Sequence, residues 1–291
     1  MLCARACGVN RACGERGVCS ADDLMRISRI SVHMWEEPVI SGACGSGTVF
    51  FAGCSLGCVF CQNREISRGI DNGTPYTPKE LAEALIGLSS KGVHNINFVT
   101  PTHFAPSVIE SVKIARNLGL TLPIVYNTAS FESVSTVRTL DKVVDIFLPD
   151  YKYARAKTAL EYSRAEDYPE VALAAISEMV KIRPEPIIKN GIMERGVIVR
   201  LLLLPSHVAE AKLALSRLYE HFGNRVYFSL MSQYTPMPNM RPPLDRRVTL
   251  EEYSQLVSYA EKIGVTQAFV QERESADAAY IPDFNIKRTE H

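Results

Sequence analysis

The chain has 291 residues, 46% apolar and 22% charged, with 32 Lys plus Arg matched by 32 Asp plus Glu. That is globular composition, long enough for one large core or two domains, and the zero net charge predicts no nucleic-acid or membrane-surface partner. The longest apolar run, Val197 to Leu204, is broken by Arg200 and stopped by Pro205, far short of a membrane span, and the N-terminus has no apolar export core, so a cytoplasmic location is expected.

All eight cysteines, Cys3, Cys7, Cys13, Cys19, Cys44, Cys54, Cys58 and Cys61, fall in the first 61 residues. A disulfide scaffold spreads its bridges through a small secreted chain; crowding at one end points to metal. Cys3, Cys7, Cys13 and Cys19 are spaced C-x3-C-x5-C-x5-C in a Gly/Arg-rich stretch too short for a core. A second metal, zinc or an auxiliary iron–sulfur cluster, would supply its folding energy; free thiols in a disordered segment are the alternative. Gly42-Ala43-Cys44-Gly45-Ser46-Gly47 precedes a strand instead of following one, which is the wrong context for a phosphate loop, and it reads as a hinge.

From about residue 48 a unit repeats: β-rich run, loop, amphipathic helix, glycine. Thr48–Ala52 is the first strand. Thr77-Pro78-Lys79-Glu80 starts a helix with Thr as N-cap, Pro at N1 and Glu at N3; Leu81, Leu85 and Leu88 give its stripe, ending at Gly92. Asn95–Thr100 is a strand, and Val108, Val112 and Ala115 mark a helix ending at Gly119. Pro123–Asn127 and Val143–Pro149 are strands, with a helix near 131–140 between them. A helix follows over 168–182, then the most apolar strand, Gly196–Leu204, which should be covered on both faces. Val208, Ala211, Leu215, Leu218 and Phe222 form the next helix, and Arg225–Leu230 the next strand. A Pro-rich connection, 231–248, has the length of a functional lid or a plain surface loop. Thr249-Leu250-Glu251-Glu252 opens a last helix to Gly264, before a short strand at Gln267–Val270.

Six or seven β/α units imply a parallel α/β sheet. A closed eightfold barrel needs roughly 250 residues, more than remain after the Cys-rich start. The predicted fold is an incomplete (β/α)6 TIM-like barrel, with a doubly wound open sheet as the alternative. The expected divisions are a Cys-rich extension at 1–45, the partial barrel at 46–275 and a tail at 276–291.

Two constellations carry chemistry. Cys54, Cys58 and Cys61, spaced C-x3-C-x2-C, follow the first strand. Three thiolates are one short of the four that close an iron–sulfur cluster or structural zinc site, and an open position invites chemistry on a bound molecule. A zinc knuckle completed by Cys44 is the alternative. The second constellation is a set of polar residues at strand ends: Thr100, Thr102 and His103; Asn127; Asp150 and Lys152; Arg200; Ser232 and Gln233. Repeated at the same point of successive units, they would line one pocket at the barrel mouth. Arg200, amid apolar neighbours, needs a partner. His103 suits proton transfer or a ligand hydrogen bond, or a structural role.

These residues resemble the radical S-adenosylmethionine (SAM) superfamily, and within it the uncharacterised homologues of the pyruvate formate-lyase activating enzyme. The resemblance runs nearly end to end. It includes Cys7-Gly8-Val9-Asn10-Arg11, Gly14 to Cys19, Ser46 to Phe51, the three-Cys motif through Gln62-Asn63, Thr100 to Phe104, Val125 to Thr128, Leu148 to Tyr153, and Met231 to Tyr234. It implies a partial TIM barrel in which Cys54, Cys58 and Cys61 hold a [4Fe-4S] cluster. SAM would sit on its unique iron and be cleaved reductively to a 5′-deoxyadenosyl radical. Phe60 would line the adenine pocket, Asp150, Lys152 and Arg200 would answer SAM's charges, and Asn127, Thr100 and Thr102 its hydroxyls. His103 and Lys152 are the catalytic candidates. A flavodoxin- or ferredoxin-type donor and a protein or peptide substrate, such as the glycine of a glycyl-radical enzyme, are implied. A small-metabolite substrate and a non-catalytic zinc or iron–sulfur regulator are the rival readings. Thr100-Pro101-Thr102 stands where the superfamily's Gly-Gly-Glu element meets the SAM amino group, so anchoring there should differ.

Overall fold

The computed structural model describes residues 1–270; the expected tail at 276–291 lies outside them. The strands are β1 (Met25–His33), β2 (Ser46–Phe51), β3 (Thr74–Tyr76), β4 (Ile96–Val99), β5 (Ile124–Thr128), β6 (Ile146–Pro149), β7 (Ile187–Lys189), β8 (Ile192–Leu202), β9 (Tyr227–Met231) and β10 (Ala268–Val270). The helices are α1 (Pro38–Ser41), α2 (Arg64–Ser67), α3 (Pro78–Ser89), α4 (Ala105–Asn117), α5 (Val134–Thr139), α6 (Ala156–Ser163), α7 (Tyr168–Ile182), α8 (Val208–Phe222) and α9 (Leu250–Ile263).

The strands β2, β4, β5, β6, β8, β9 and β10 pair in that order, every pair parallel. β1 pairs antiparallel with β2 and carries β3 beyond it, so the sheet runs from β10 to β3 without closing. This is the expected incomplete barrel. The sheet starts earlier than expected, because β1 lies within the segment read as an extension. Met25 and Ile27 alternate inward as a half-buried strand requires, but Arg26 between them and Ser28 and Arg29 beyond dilute the pattern.

Helix starts and stripes match their sequence signals. Thr77 and Thr249 each accept from the backbone N–H three residues on, while Glu80 and Glu252 return the bond. Leu81, Leu85 and Leu88 of α3, and Ala211, Leu215, Leu218 and Phe222 of α8, are buried. The expected two-sided cover of β8 is met on both faces, by Val197, Val199 and Leu201 in the main core and by Ile198 in a second apolar cluster with Ile40, Val125, Ile146 and Leu148.

Two clamps fix the loop after β6, which carries Asp150 and Lys152. The Tyr168 hydroxyl donates to the Asp150 carbonyl (2.9 Å) and accepts from the Lys152 N–H (3.0 Å). The buried Glu210 of α8 accepts from the backbone N–H groups of Ala154 and Arg155, each at 2.8 Å, and pairs with the Arg155 side chain. Glu210→Ala leaves these N–H groups without an acceptor and is expected to cost about 2–4 kcal/mol, read by urea denaturation. Glu210→Gln keeps a carbonyl acceptor and should lose less.

Candidate active site

A cavity of about 250 Å³ opens at the C-terminal ends of the parallel strands. One wall is the loop after β2. Gly53 enters it at φ 84°, and a Cβ there would lie 2.5 Å from the Cys19 carbonyl oxygen. Only glycine fits this turn and this backbone contact. Cys54, Leu56, Gly57, Cys58, Phe60 and Cys61 then line the cavity.

Each thiol has a hydrogen-bond donor nearby. The Leu56 N–H points to Cys54 Sγ (3.4 Å), Ser163 Oγ to Cys58 Sγ (3.0 Å) and Ser67 Oγ to Cys61 Sγ (3.4 Å). Burial, with Cys58 and Cys61 close by, pushes the Cys54 thiol up to about 11; burial and Cys58 raise Cys61. Thiols so raised ionise readily only against a cationic centre. Among the described residues, no group of His, Cys, Asp or Glu side chains is disposed to hold a single metal ion. A zinc ion would draw its thiolates to about 2.3 Å from one point, whereas a cluster gives each thiolate its own iron. The three-thiol donor set and its hydrogen bonds fit an iron–sulfur cluster with one iron left without a thiolate.

The opposite wall is a buried charge network. Arg200 Nε donates to Asp150 Oδ1 (2.7 Å), Nη2 to Asn127 Oδ1 (2.6 Å) and Nη1 to Glu36 Oε2 (3.3 Å). Lys152 Nζ donates to Asp150 Oδ2 (2.6 Å), and Asn127 Nδ2 to Glu36 Oε1 (3.2 Å). Burial opposes the Asp150 charge, but Arg200 and Lys152 outweigh it and hold the carboxyl below its usual range. Burial likewise opposes Arg200 and Lys152, and the facing carboxylates more than restore both. Glu37 behind them is raised by burial. The partner that Arg200 needed is therefore a trio: Asp150, Asn127 and Glu36.

The structure gathers most of the expected residues on this cavity: Phe60, Thr100, Asn127, Asp150, Lys152, Arg200 and Gln233. Phe60 meets Tyr153, Tyr162 and Tyr234 edge-on, so its ring is held by core on one side and faces the cavity on the other. Three of the expected residues, His103, Thr102 and Ser232, are not among those that line the cavity. His103 is 1% exposed, and its Nε2 meets the Ala52 carbonyl at 2.7 Å. Burial pulls it down to about 4, so the ring is neutral and donates that bond. Thr102 also lies behind the wall, its hydroxyl 3.4 Å from that of Thr128. Strand-end position alone does not say which way a side chain turns. The Pro-rich 231–248 segment is tied down by buried Tyr234, whose hydroxyl donates to the Leu244 carbonyl (2.6 Å), while Gln62 Nε2 reaches the Gln233 carbonyl (3.1 Å).

Sequence reasoning missed His33, Trp35 and Glu36, which reach the cavity from the end of β1 and the segment after it. The available signal was Glu36-Glu37 held between a strand and Pro38, adjacent acids that are costly unless paired. At the N-terminus, Cys3, Cys7 and Cys19 line a second cavity that Cys13 does not reach.

Residues 48–193 match the family model of the radical SAM superfamily. An uncharacterised protein of Methanocaldococcus jannaschii is 30% identical over 271 residues, covering 90% of this chain and 74% of that protein. A radical SAM methyltransferase from Sphaerobacter thermophilus aligns with a TM-score of 0.55 at 15% identity, over 78% of this chain and 67% of its own. SuiB of Streptococcus suis, solved with its precursor peptide SuiA, aligns with a TM-score of 0.50 at 13% identity, over 76% of this chain and 47% of its own. At such identities these two structures share the fold.

Behind Thr128, Glu132 is buried and accepts from the hydroxyls of Tyr126 (3.0 Å) and Thr128. Burial pushes it up to about 7, against the hydrogen bonds from Thr128, Tyr126 and Thr102. The folded chain therefore keeps a proton that the unfolded chain releases near pH ~4.3. Protons bound in the folded state exceed those in the unfolded state across that window, so stability falls as pH rises from about 4 to 7. Glu132→Gln should remove this slope. Denaturation midpoints of variant and wild type should diverge with rising pH; parallel curves would refute the assignment.

Proposed function

Because this chain belongs to the radical SAM superfamily, we propose that Cys54, Cys58 and Cys61 hold a [4Fe-4S] cluster whose fourth iron takes S-adenosylmethionine. One observation carries the reading: the three-thiol loop and the charge network of Asp150, Lys152, Arg200 and Glu36 line one cavity. When bound, the cluster and SAM together supply reductive cleavage to a 5′-deoxyadenosyl radical, the hard chemistry of the reaction.

The chain's own residues bind, orient and shield. Arg200 and Lys152 are placed for the carboxylate of the methionyl group, and Glu36 and Asp150 for its ammonium. Glu36 thus offers a carboxylate in a chain with Thr100-Pro101-Thr102 in place of Gly-Gly-Glu. Asn127 and Thr100 are placed for the ribose hydroxyls, and Phe60 for the adenine. Lys152 is the candidate that touches the reacting molecules. His103 is a positioning residue, since its bond to Ala52 holds the end of β2 just ahead of Gly53 and Cys54. Thr102 acts through Thr128.

The expected reaction is hydrogen abstraction from a peptide or protein, as in the pyruvate formate-lyase activating enzyme, where a glycine of a partner enzyme is the target. SuiB, with its peptide on the same fold, makes a peptide substrate reasonable. A flavodoxin- or ferredoxin-type donor in the cytoplasm would supply the electron. Among the described residues no helix is long and apolar enough to cross a membrane. The N-terminal cysteines are read as a second metal group.

After anaerobic reconstitution, wild type given dithionite and SAM should form 5′-deoxyadenosine. Cys54→Ala, Cys58→Ala and Cys61→Ala should each abolish it, together with the absorbance of the cluster. Absence of the product from iron-loaded wild type would end the reading. Asp150→Asn leaves Arg200 and Lys152 under-compensated in a buried site, a loss of about 3–5 kcal/mol. SAM affinity measured by calorimetry should fall steeply, and Asp150→Glu should restore part of it.

A further inference from the structure

The first 24 residues hold their places without a core of their own. Their regular structure is one short turn, Arg11–Cys13, and of their apolar residues only Cys19 and Ala21 are buried. Yet Cys3, Cys7 and Cys19 converge on one cavity of about 400 Å³, whose wall also includes Arg5, Arg11 and Ser55. Cys13 is exposed and not among the lining residues, its Sγ taking a hydrogen bond from Asn10 Nδ2 (3.2 Å).

The surroundings of the three thiols are arranged in their favour. Arg11 Nη2 lies 3.4 Å from Cys19 Sγ, and the same guanidinium donates to the His103 carbonyl. A Cβ on Gly17 would sit 2.9 Å from Cys7 Sγ, so the glycine leaves that sulfur its space. Three thiols brought to one open space, with the Arg11 guanidinium beside one of them, have no evident purpose as packing. An anionic centre bound by thiolates would use all of them.

This cavity backs onto the loop of the first. Cys54 and Leu56 line the active-site cavity, and Ser55 between them lines the N-terminal one. Arg5 fastens the two sides, donating to the carbonyls of Ser55 (2.9 Å), Leu56 (3.3 Å) and Ser163 (2.9 Å). Cys7 is exposed, whereas Cys19 is buried with its carbonyl against Gly53. The three thiols thus run from the surface to the back of the catalytic loop.

We propose that Cys3, Cys7 and Cys19 hold a second iron–sulfur cluster that takes the electron at the surface and passes it to the first. One vertex is left to a ligand other than these three thiolates. The step moves one electron: the external donor is oxidised, the second cluster is reduced and then reoxidised as the first is reduced, and no bond forms or breaks. The relay rests on the catalytic cluster proposed above; the metal site does not.

Iron, sulfide and zinc analysis of the full-length chain after anaerobic reconstitution tests the site. Wild type should hold about eight iron atoms, and the Cys54→Ser/Cys58→Ser/Cys61→Ser variant should retain about four, with the EPR signal of a reduced cluster. The Cys3→Ser/Cys7→Ser/Cys19→Ser variant should also hold about four, with circular dichroism showing whether it is folded, and Cys13→Ser should stay near eight. Zinc alone, no iron in the first variant, or equal loss on Cys13→Ser would overturn the site. For the relay, the cluster left in the N-terminal variant should still be reduced by dithionite, while reduced flavodoxin no longer produces its EPR signal. Equal reduction by both would overturn the relay. Wild type with the full iron content but no 5′-deoxyadenosine would sink the enzymatic reading and leave this site standing.

Discussion

The Arg200 guanidinium is the constraint around which the barrel mouth is built. It rises from β8, meets Asp150 after β6 and Asn127 on β5, and reaches Glu36 from outside the β/α repeat. Four segments distant in sequence are thereby fixed to one cation. A buried cation is tolerable only when so matched, and the match ties together the ends of β5, β6 and β8. The clamps by Tyr168 and Glu210 serve the same end from outside, holding the backbone of the loop that presents Asp150 and Lys152.

Across the cavity the logic is reversed. The network wall carries matched opposite charges, while the cysteine wall carries three thiols, of which Cys54 and Cys61 are raised by burial and by their neighbours. One wall is complete as it stands, and the other calls for a metal centre. That asymmetry suits a site in which the protein orients and the cofactor reacts.

Much of this was legible in the sequence because it rests on local rules. The Thr-x-x-Glu caps at Thr77 and Thr249, the Leu81/Leu85/Leu88 stripe and the 168–182 helix are short-range patterns, and each appears where its pattern placed it. Arg200 stood out because a charge in an apolar strand demands a partner. The identity of that partner was not readable, since Glu36 lies 164 residues away. His103 and Thr102 were misplaced for a related reason: strand-end position was visible, but the turn at Thr100, with φ 58°, aims the following residues behind the wall. β1 was missed because an antiparallel strand with Arg26 and Arg29 between its apolar residues carries a weaker signal than a parallel strand buried on both faces.

The rim formed by His33, Trp35 and Glu36 belongs to none of the repeating β/α units. It is delivered by the antiparallel ribbon at the sheet's margin. A lineage could therefore revise what the enzyme admits by altering His33 and Trp35, while the cysteine loop and Glu36 stayed as they are. Choice of guest and generation of reactivity would then be separately heritable, and close kin sharing the loop need not share a reaction.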